Sequence, residues 1–232
     1  MTRFSDSIKN KKKSGLIPVI PDIKLISPKE GELTRGRDPV KTAMLFEHLG
    51  APALSVVTEE KHFGGSVELL RKIAAAVDVP VLRKDFITDE AELYITKEAG
   101  AAAVLLICAT TDRETVSRLY YKAGEIGLEP LVETHTKDEL LFARSLGAGL
   151  VGINNRDIAG LEKDSGGVSH TKLLAAYAPE GACIISESGI ETPADARAAI
   201  KYGADAALVG TALWLAADTA SFYREMCGGE TR

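Results

Sequence analysis

Lys24 and Lys84 each stand at the end of a short apolar run, and so do Asp22, Glu133 and Glu187. A charge inside such a run is costly to bury without a partner. Several of them in one chain point to acid–base chemistry or to a charged ligand. Lysine ordinarily titrates near ~10.4, and burial or a neighbouring cation lowers it into the range where it donates protons near neutrality. Lys24 and Lys84 would repel each other if close, which suits one of them to the role of general acid. Glu133 is then the natural base, or the stabiliser of a developing cation. Asn154 and Arg156 add a polar pair behind another run. Small residues, Ser188-Gly189 and Gly210-Thr211, follow two more. Backbone N–H groups at such positions can approach an anion closely.

These residues need elements that bring them together. Eight short runs rich in Val, Ile and Leu recur along the chain, at 18–24, 53–58, 79–86, 103–109, 129–135, 150–155, 182–188 and 206–213. Nearly continuous apolar runs suit parallel strands buried on both faces. Amphipathic stretches separate them, for example 38–49, 67–76, 89–99, 113–126, 137–146 and 193–202, with a last helix at 215–227. The Thr88-Asp89-Glu90 and Thr192-Pro193 steps offer a capping hydroxyl at two helix starts. An internal echo, Gly50-Ala51, Gly100-Ala101, Gly147-Ala148 and Gly203-Ala204, falls where helix gives way to strand. Glycine there supplies a left-handed C-cap.

Eight β/α units in 232 residues are what a minimal (β/α)8 TIM barrel requires. The expected architecture is therefore α/β, one barrel domain over 1–232 with a short N-terminal extension over 1–17. A doubly wound open sheet is the alternative, but no GxGxxG follows the first run. In a barrel, strand ends converge on the C-terminal face, where active sites lie. The singled-out residues all fall at those ends, and the N-terminal ends show no comparable set. The small residues after the seventh and eighth strands fall at the usual phosphate site of the fold.

The composition is that of an ordinary globular protein, 45% hydrophobic and 26% charged. With 6% aromatic residues, the core must be mainly aliphatic. A net charge of -5 argues against a nucleic-acid partner. The basic run Lys9, Lys11, Lys12 and Lys13 reads as a solvated tail, or as long-range attraction for an anionic ligand. Cys108, Cys183 and Cys227 are sparse and unpaired in spacing, as in a cytoplasmic protein with reduced thiols. No run is long enough to span a membrane, and the first residues lack the apolar core of a secretory signal.

The strand-end motifs together resemble one family. Pro18-Val-Ile-Pro-Asp-Ile-Lys24 with Ser27-Pro28, Thr58 through Gly64-Gly65-Ser66, Val81-Leu-Arg-Lys-Asp-Phe86, Leu131-Val-Glu-Thr134, Val151-Gly-Ile-Asn-Asn-Arg-Asp157, Ser186-Glu-Ser-Gly-Ile190 and Leu208-Val-Gly-Thr211 are similar, in order, to those of indole-3-glycerol phosphate synthases. The resemblance covers roughly 18–213. It implies ring closure of 1-(2-carboxyphenylamino)-1-deoxyribulose 5-phosphate with loss of carbon dioxide and water, a step of tryptophan biosynthesis. It implies no metal and no organic cofactor. The expected partner is a small phosphorylated substrate, bound by a monomer or a weak homo-oligomer.

By the same resemblance, Lys84 is the general acid that protonates the ketone oxygen. Lys24 pairs with the substrate carboxylate and serves in dehydration. Glu133 is the base or cation stabiliser. Ser27, Asn154, Arg156 and Glu187 orient carboxylate and hydroxyls. Ser188, Gly189, Gly210 and Thr211 hold the phosphate. Phe63, Phe86, Pro28, Leu105 and Leu131 form the apolar slot for the aromatic ring, with ordinary core packing as the alternative for each.

The chain departs from the family in three places. Asp22 stands where the family usually has Glu, one methylene longer. The segment before the first strand is short, and Phe4 and Ile8 would place one helix over the bottom or the mouth of the barrel. The loop after the first strand, Ser27-Pro28-Lys29-Glu30-Gly31-Glu32, carries added acidic residues and reads as a mobile lid. Two other functions stay open: a related phosphate-binding isomerase using Asp or Cys, and a non-catalytic binding paralogue.

Overall fold

Each of the eight apolar runs forms a parallel strand. The structure, a computed structural model, describes residues 3–156 and 167–229. The chain opens with α1 (Phe4–Lys13) and β1 (Val19–Ile23), followed by a small hairpin of β2 (Ile26–Ser27) and β3 (Gly31–Glu32). Alternating elements follow: α2 (Pro39–His48), β4 (Leu54–Val57), α3 (Val67–Ala76), β5 (Val81–Lys84), α4 (Glu90–Glu98), β6 (Ala103–Ile107), α5 (Arg113–Glu125) and β7 (Glu129–Thr134). The second half carries α6 (Lys137–Ser145), β8 (Leu150–Asn154), α7 (Ser169–Leu174) with a 3-10 turn, β9 (Cys183–Glu187), α8 (Pro193–Lys201), β10 (Ala206–Val209), α9 (Thr211–Leu215) and α10 (Thr219–Met226).

Eight strands close in the order β1-β10-β9-β8-β7-β6-β5-β4, a (β/α)8 barrel with every pairing parallel. The barrel interior is filled by Ile20, Leu82, Leu105, Leu131, Leu150 and Ile185, among others. Small residues, Ala53, Ala103 and Ala206, complete that layer. The echoed glycines Gly50, Gly100, Gly147 and Gly203 all take positive φ, from 70° to 108°, as left-handed helix caps require.

Three expectations need correction. The basic run is not a tail: it is the last part of α1, which docks because Phe4 and Ile8 are fully buried in the interior layer. Its Lys12 pairs with Asp205 at 2.6 Å. This helix closes the N-terminal end of the barrel, where Glu129 at the start of β7 accepts from the Ser5 backbone N–H at 3.1 Å and pairs with Arg3 at 3.3 Å. The N-terminal ends therefore do hold one buried carboxylate, used to seat a helix. Second, the last strand stops at Val209. The chain breaks at Gly210 (φ -114, ψ -88) and enters α9 at Thr211, so a short helix takes the place of the predicted strand end, and the predicted last helix is α10. Third, α4 is capped by the Asp89 carboxylate, accepting from Ala91 N–H at 2.8 Å, and not by Thr88. The Thr192 cap holds, with Pro193 in the first turn and a reciprocal bond from Asp195.

Candidate active site

The C-terminal mouth opens into two adjoining cavities. The larger, about 610 Å³, runs from Lys24 and Lys84 to the rim after β9 and β10. The smaller, about 50 Å³, is walled by Phe63, Phe86, Leu105 and Ile107. Asp22, Lys24 and Lys84 line both, so these three side chains stand at the junction.

Alternation on β1 sends Asp22 and the adjacent Lys24 to the same side, and both are buried. Asp22 accepts a 2.6 Å hydrogen bond from Ser55, its register partner on β4. Its backbone carbonyl accepts from the indole N–H of Trp214 at 3.0 Å, which ties α9 to β1. Gly210 leaves room beside it: a Cβ there would sit 3.2 Å from the Asp22 Cβ. The Lys24 ammonium lies 5.6 Å from the centre of the Phe63 ring, in cation–π range.

Lys84, the last residue of β5, points its ammonium at Glu133 Oε2 across 3.8 Å. Glu133 is 1% exposed, and its Oε1 accepts from the Asn154 amide at 3.2 Å. Asn154 is itself oriented, because its oxygen accepts the Arg156 backbone N–H at 3.0 Å. Glu187 is fully buried nearby, and neither carboxyl oxygen has a hydrogen-bond donor among the described residues. Burial, and then the charge of Glu133, hold its carboxyl well above the usual carboxylate range. Two buried anions cannot be sustained side by side, so Glu187 holds its proton.

Gly152 makes this pair possible. It sits on β8 opposite Glu133, and a Cβ there would lie 2.0 Å from Glu187 Oε1. The sequence signal was present as a glycine inside an apolar run, which marks close approach, but nothing said what approached. Asn155 likewise carries no signal of its role in the sequence. Its amide donates to Ser186 Oγ and to the Glu187 and Ser188 carbonyls at 2.9–3.2 Å, and its oxygen accepts twice from Thr171 at 3.0 Å. It fixes the end of β9 against α7.

That strand end is unusual in its backbone. Ser188 has φ 62° and Gly189 φ 67°, two successive left-handed residues. Such a conformation in a serine is sparsely populated and marks a constrained site. Ser188 and Gly189 face Gly210 and Thr211 across the larger cavity, and Arg156 and Ser27 complete its wall. Arg156 pairs with Glu191 at 3.3 Å. Ser27 is buried at the foot of the hairpin, accepting from the Lys29 and Glu30 N–H groups at 3.3 and 3.4 Å. Asp157 lies outside the described residues.

Of the five apolar candidates, Phe63, Phe86 and Leu105 wall the smaller cavity. Leu131, the register partner of Leu105, belongs to the same interior cluster without lining either cavity, and Pro28 sits in the hairpin turn, half-buried, on neither cavity wall. Cys108, just after β6, is no alternative base: burial, with Glu139 and Glu133 nearby, pushes its thiol up to about 12.

Buried acid–base groups at the C-terminal mouth, with a rim of small residues after the last two strands, place this chain among the (β/α)8-barrel enzymes. Comparison with known proteins narrows the class. A family model described as indole-3-glycerol phosphate synthase matches residues 1–226. An indole-3-glycerol phosphate synthase of Pyrococcus furiosus is 43% identical over 98% of this chain and 97% of its own length. Proteins of the same name from Pyrococcus abyssi and Chlorobium phaeovibrioides are 45% and 40% identical, covering 84% and 89% of this chain and 85% and 79% of their own lengths. The chain belongs to the indole-3-glycerol phosphate synthase family. Among the described residues, no helix is long and apolar enough to cross a membrane.

Proposed function

We propose that this chain closes the indole ring of 1-(2-carboxyphenylamino)-1-deoxyribulose 5-phosphate, releasing carbon dioxide and water. The observation that carries the reading is the Lys84–Glu133 pair: the carboxylate is buried 3.8 Å from a lysine that lines both the apolar slot and the larger cavity. In this reading the aromatic ring enters the slot between Phe63, Phe86 and Leu105. The phosphate reaches the rim at Ser188, Gly189, Gly210 and Thr211. Lys24 meets the ring carboxylate, and Asn154, Arg156, Glu187 and Ser27 orient the rest of the chain. Fixing both ends folds a flexible sugar over the ring, which is itself a large part of catalysis.

The protons then have assigned carriers. As the ring carbon bonds to the ketone carbon, Lys84 gives a proton to the ketone oxygen. The ring carbon–carboxylate bond breaks, and its electron pair cancels the positive charge as carbon dioxide leaves. The new hydroxyl takes a proton from Lys24 and leaves as water, while Glu133 removes the C–H proton that restores aromaticity. Two protons are given and one is taken, so each turnover draws one from solvent. Asp22, two residues before Lys24 and hydrogen-bonded to Ser55, lines both cavities together with the two lysines.

The test is to give the purified chain this substrate and follow indole fluorescence. No product at high enzyme concentration would sink the reading. A Lys84→Met variant is expected to lose at least ~10²-fold in kcat, the usual contribution of a general acid. Unchanged turnover would remove Lys84 from the mechanism while sparing the fold.

A further inference from the structure

His135 is the residue at the mouth that none of this uses. It follows the last residue of β7, and its side chain is 10% exposed. Its Nε2 lies 3.6 Å from Glu133 Oε1 and its Nδ1 lies 3.8 Å from Glu139 Oε2. Neither ring nitrogen has a hydrogen-bond partner among the described residues. The ring does not arrive there by chance of rotamer alone. Glu139 closes the capping box of α6, accepting from Thr136 N–H at 3.2 Å and from the His135 N–H itself at 2.5 Å. The helix start therefore anchors the histidine backbone, and the histidine ring lies against the carboxylate one strand turn earlier.

We propose that His135 is a positioning residue for Glu133, presenting Nε2–H to Oε1 so that the carboxylate stays ionised and aimed throughout the reaction. The proposal rests on the reading of Lys84 as acid and Glu133 as base. In that reading Lys84 becomes neutral once it has given up its proton, and its hold on Glu133 across 3.8 Å weakens. That loss comes before the step in which Glu133 must act as an anion. Glu187 beside it is fully buried and holds its proton, so it supplies no positive charge to replace the lysine. Asn154 and His135 are neighbours whose donors do not change during turnover. Losing one of them should slow the base step without altering how substrate is bound.

The experiment compares His135→Phe, His135→Gln and His135→Asn in the full chain, with Glu133→Gln alongside. Steady-state indole fluorescence gives kcat and KM, and thermal melting gives stability. Phe fills the space without a donor, Gln restores a donor near the Nε2 position, and Asn restores one only near Nδ1. A hydrogen bond to a charged group sets the scale, so His135→Phe should lose ~10–100-fold in kcat with KM changed by less than ~2-fold. His135→Gln should recover most of that loss, and His135→Asn should not. A purely structural histidine predicts the reverse, with Phe tolerated and kcat tracking stability; wild-type kcat in His135→Phe would overturn the proposal. If His135→Phe fails to fold, equal kcat in the Gln and Asn variants overturns it, and a Gln-specific recovery supports it. A fully active Glu133→Gln would remove the underlying reading, whereas an inactive Glu133→Gln with an active His135→Phe would remove this proposal alone.

Discussion

Ser55 donates a 2.6 Å hydrogen bond to Asp22 across the β1–β4 pair, with both side chains buried. The family resemblance placed a longer carboxylate at this position, and Ser55 together with Gly210 explains how the shorter one is accommodated. The donor lies at the length an aspartate reaches, and a Cβ added at Gly210 would come within 3.2 Å of the Asp22 Cβ, so the glycine keeps the carboxylate in its place. Ser55→Ala should cost ~1–3 kcal/mol of stability, since it takes a donor from a buried carboxylate. It should also lower kcat. Asp22→Glu alone should not raise turnover. Urea melts and steady-state rates check both, and a faster Asp22→Glu enzyme would show the aspartate to be a handicap.

Gly152 is the least replaceable small residue of the site. A Cβ there falls 2.0 Å from Glu187 Oε1 and 3.6 Å from the Glu133 Cα, so the carboxyl must move or the strands must part. Gly152→Ala should destabilise the fold by ~1–3 kcal/mol, the usual cost of overpacking a close-packed interior. The expected kcat loss exceeds what the unfolded fraction accounts for. Circular dichroism at the assay temperature separates the two effects, and an Ala variant with wild-type kcat would show that the Glu187 position is irrelevant to turnover.

The sequence made the barrel legible because the eight apolar runs and the repeated glycine caps carry the two periodicities of strand and helix. The strand-end charges were legible because a charge in an apolar run stands out against its neighbours. What stayed hidden was depth and direction. Leu105 and Leu131 are register partners in one interior cluster, yet only Leu105 walls the slot. Residues that act on other residues left no composition signal: Asn155, Ser55 and Trp214 work through hydrogen bonds to strands far away in sequence. The N-terminal helix was half legible. Phe4 and Ile8 point to a helix seated on the barrel, as found, but its conspicuous lysines read as a tail although they belong to that same helix.

Glu187 gives the pH dependence a sign. Its folded-state pKa is raised by burial and by Glu133, so between the unfolded and folded values the native state binds more protons than the unfolded one. Stability from this group is therefore complete below the unfolded carboxylate range near ~4.3 and is lost as pH rises through the folded value. Glu187→Gln removes that penalty. It should melt higher than wild type, by an amount that grows as pH is raised from about 5 to 8, while kcat falls. For a domain of this size, each kcal/mol moves the midpoint by ~2–4 °C. A wild-type advantage at high pH would mean that Glu187 is ionised and stabilised in the folded state.

Stability and chemistry should separate along the barrel axis. Phe4 is fully buried in the interior layer at the N-terminal end, opposite the mouth, and α1 is fastened there by Glu129. In this fold the N-terminal face serves stability and the C-terminal face serves function. Phe4→Ala should cost ~3–5 kcal/mol through lost burial and the cavity left behind. At a temperature where the variant remains folded, kcat and KM should stay within ~2-fold of wild type, because the plug sits at the end of the barrel opposite the mouth. Glu129→Gln keeps the size of the side chain and removes its charge, so it should show the same separation with a smaller loss. The check is a urea melt paired with rates measured on the folded fraction. A kcat that falls further than that fraction would show that the helix at the bottom holds the interior layer in the shape on which Lys84 and Glu133 depend.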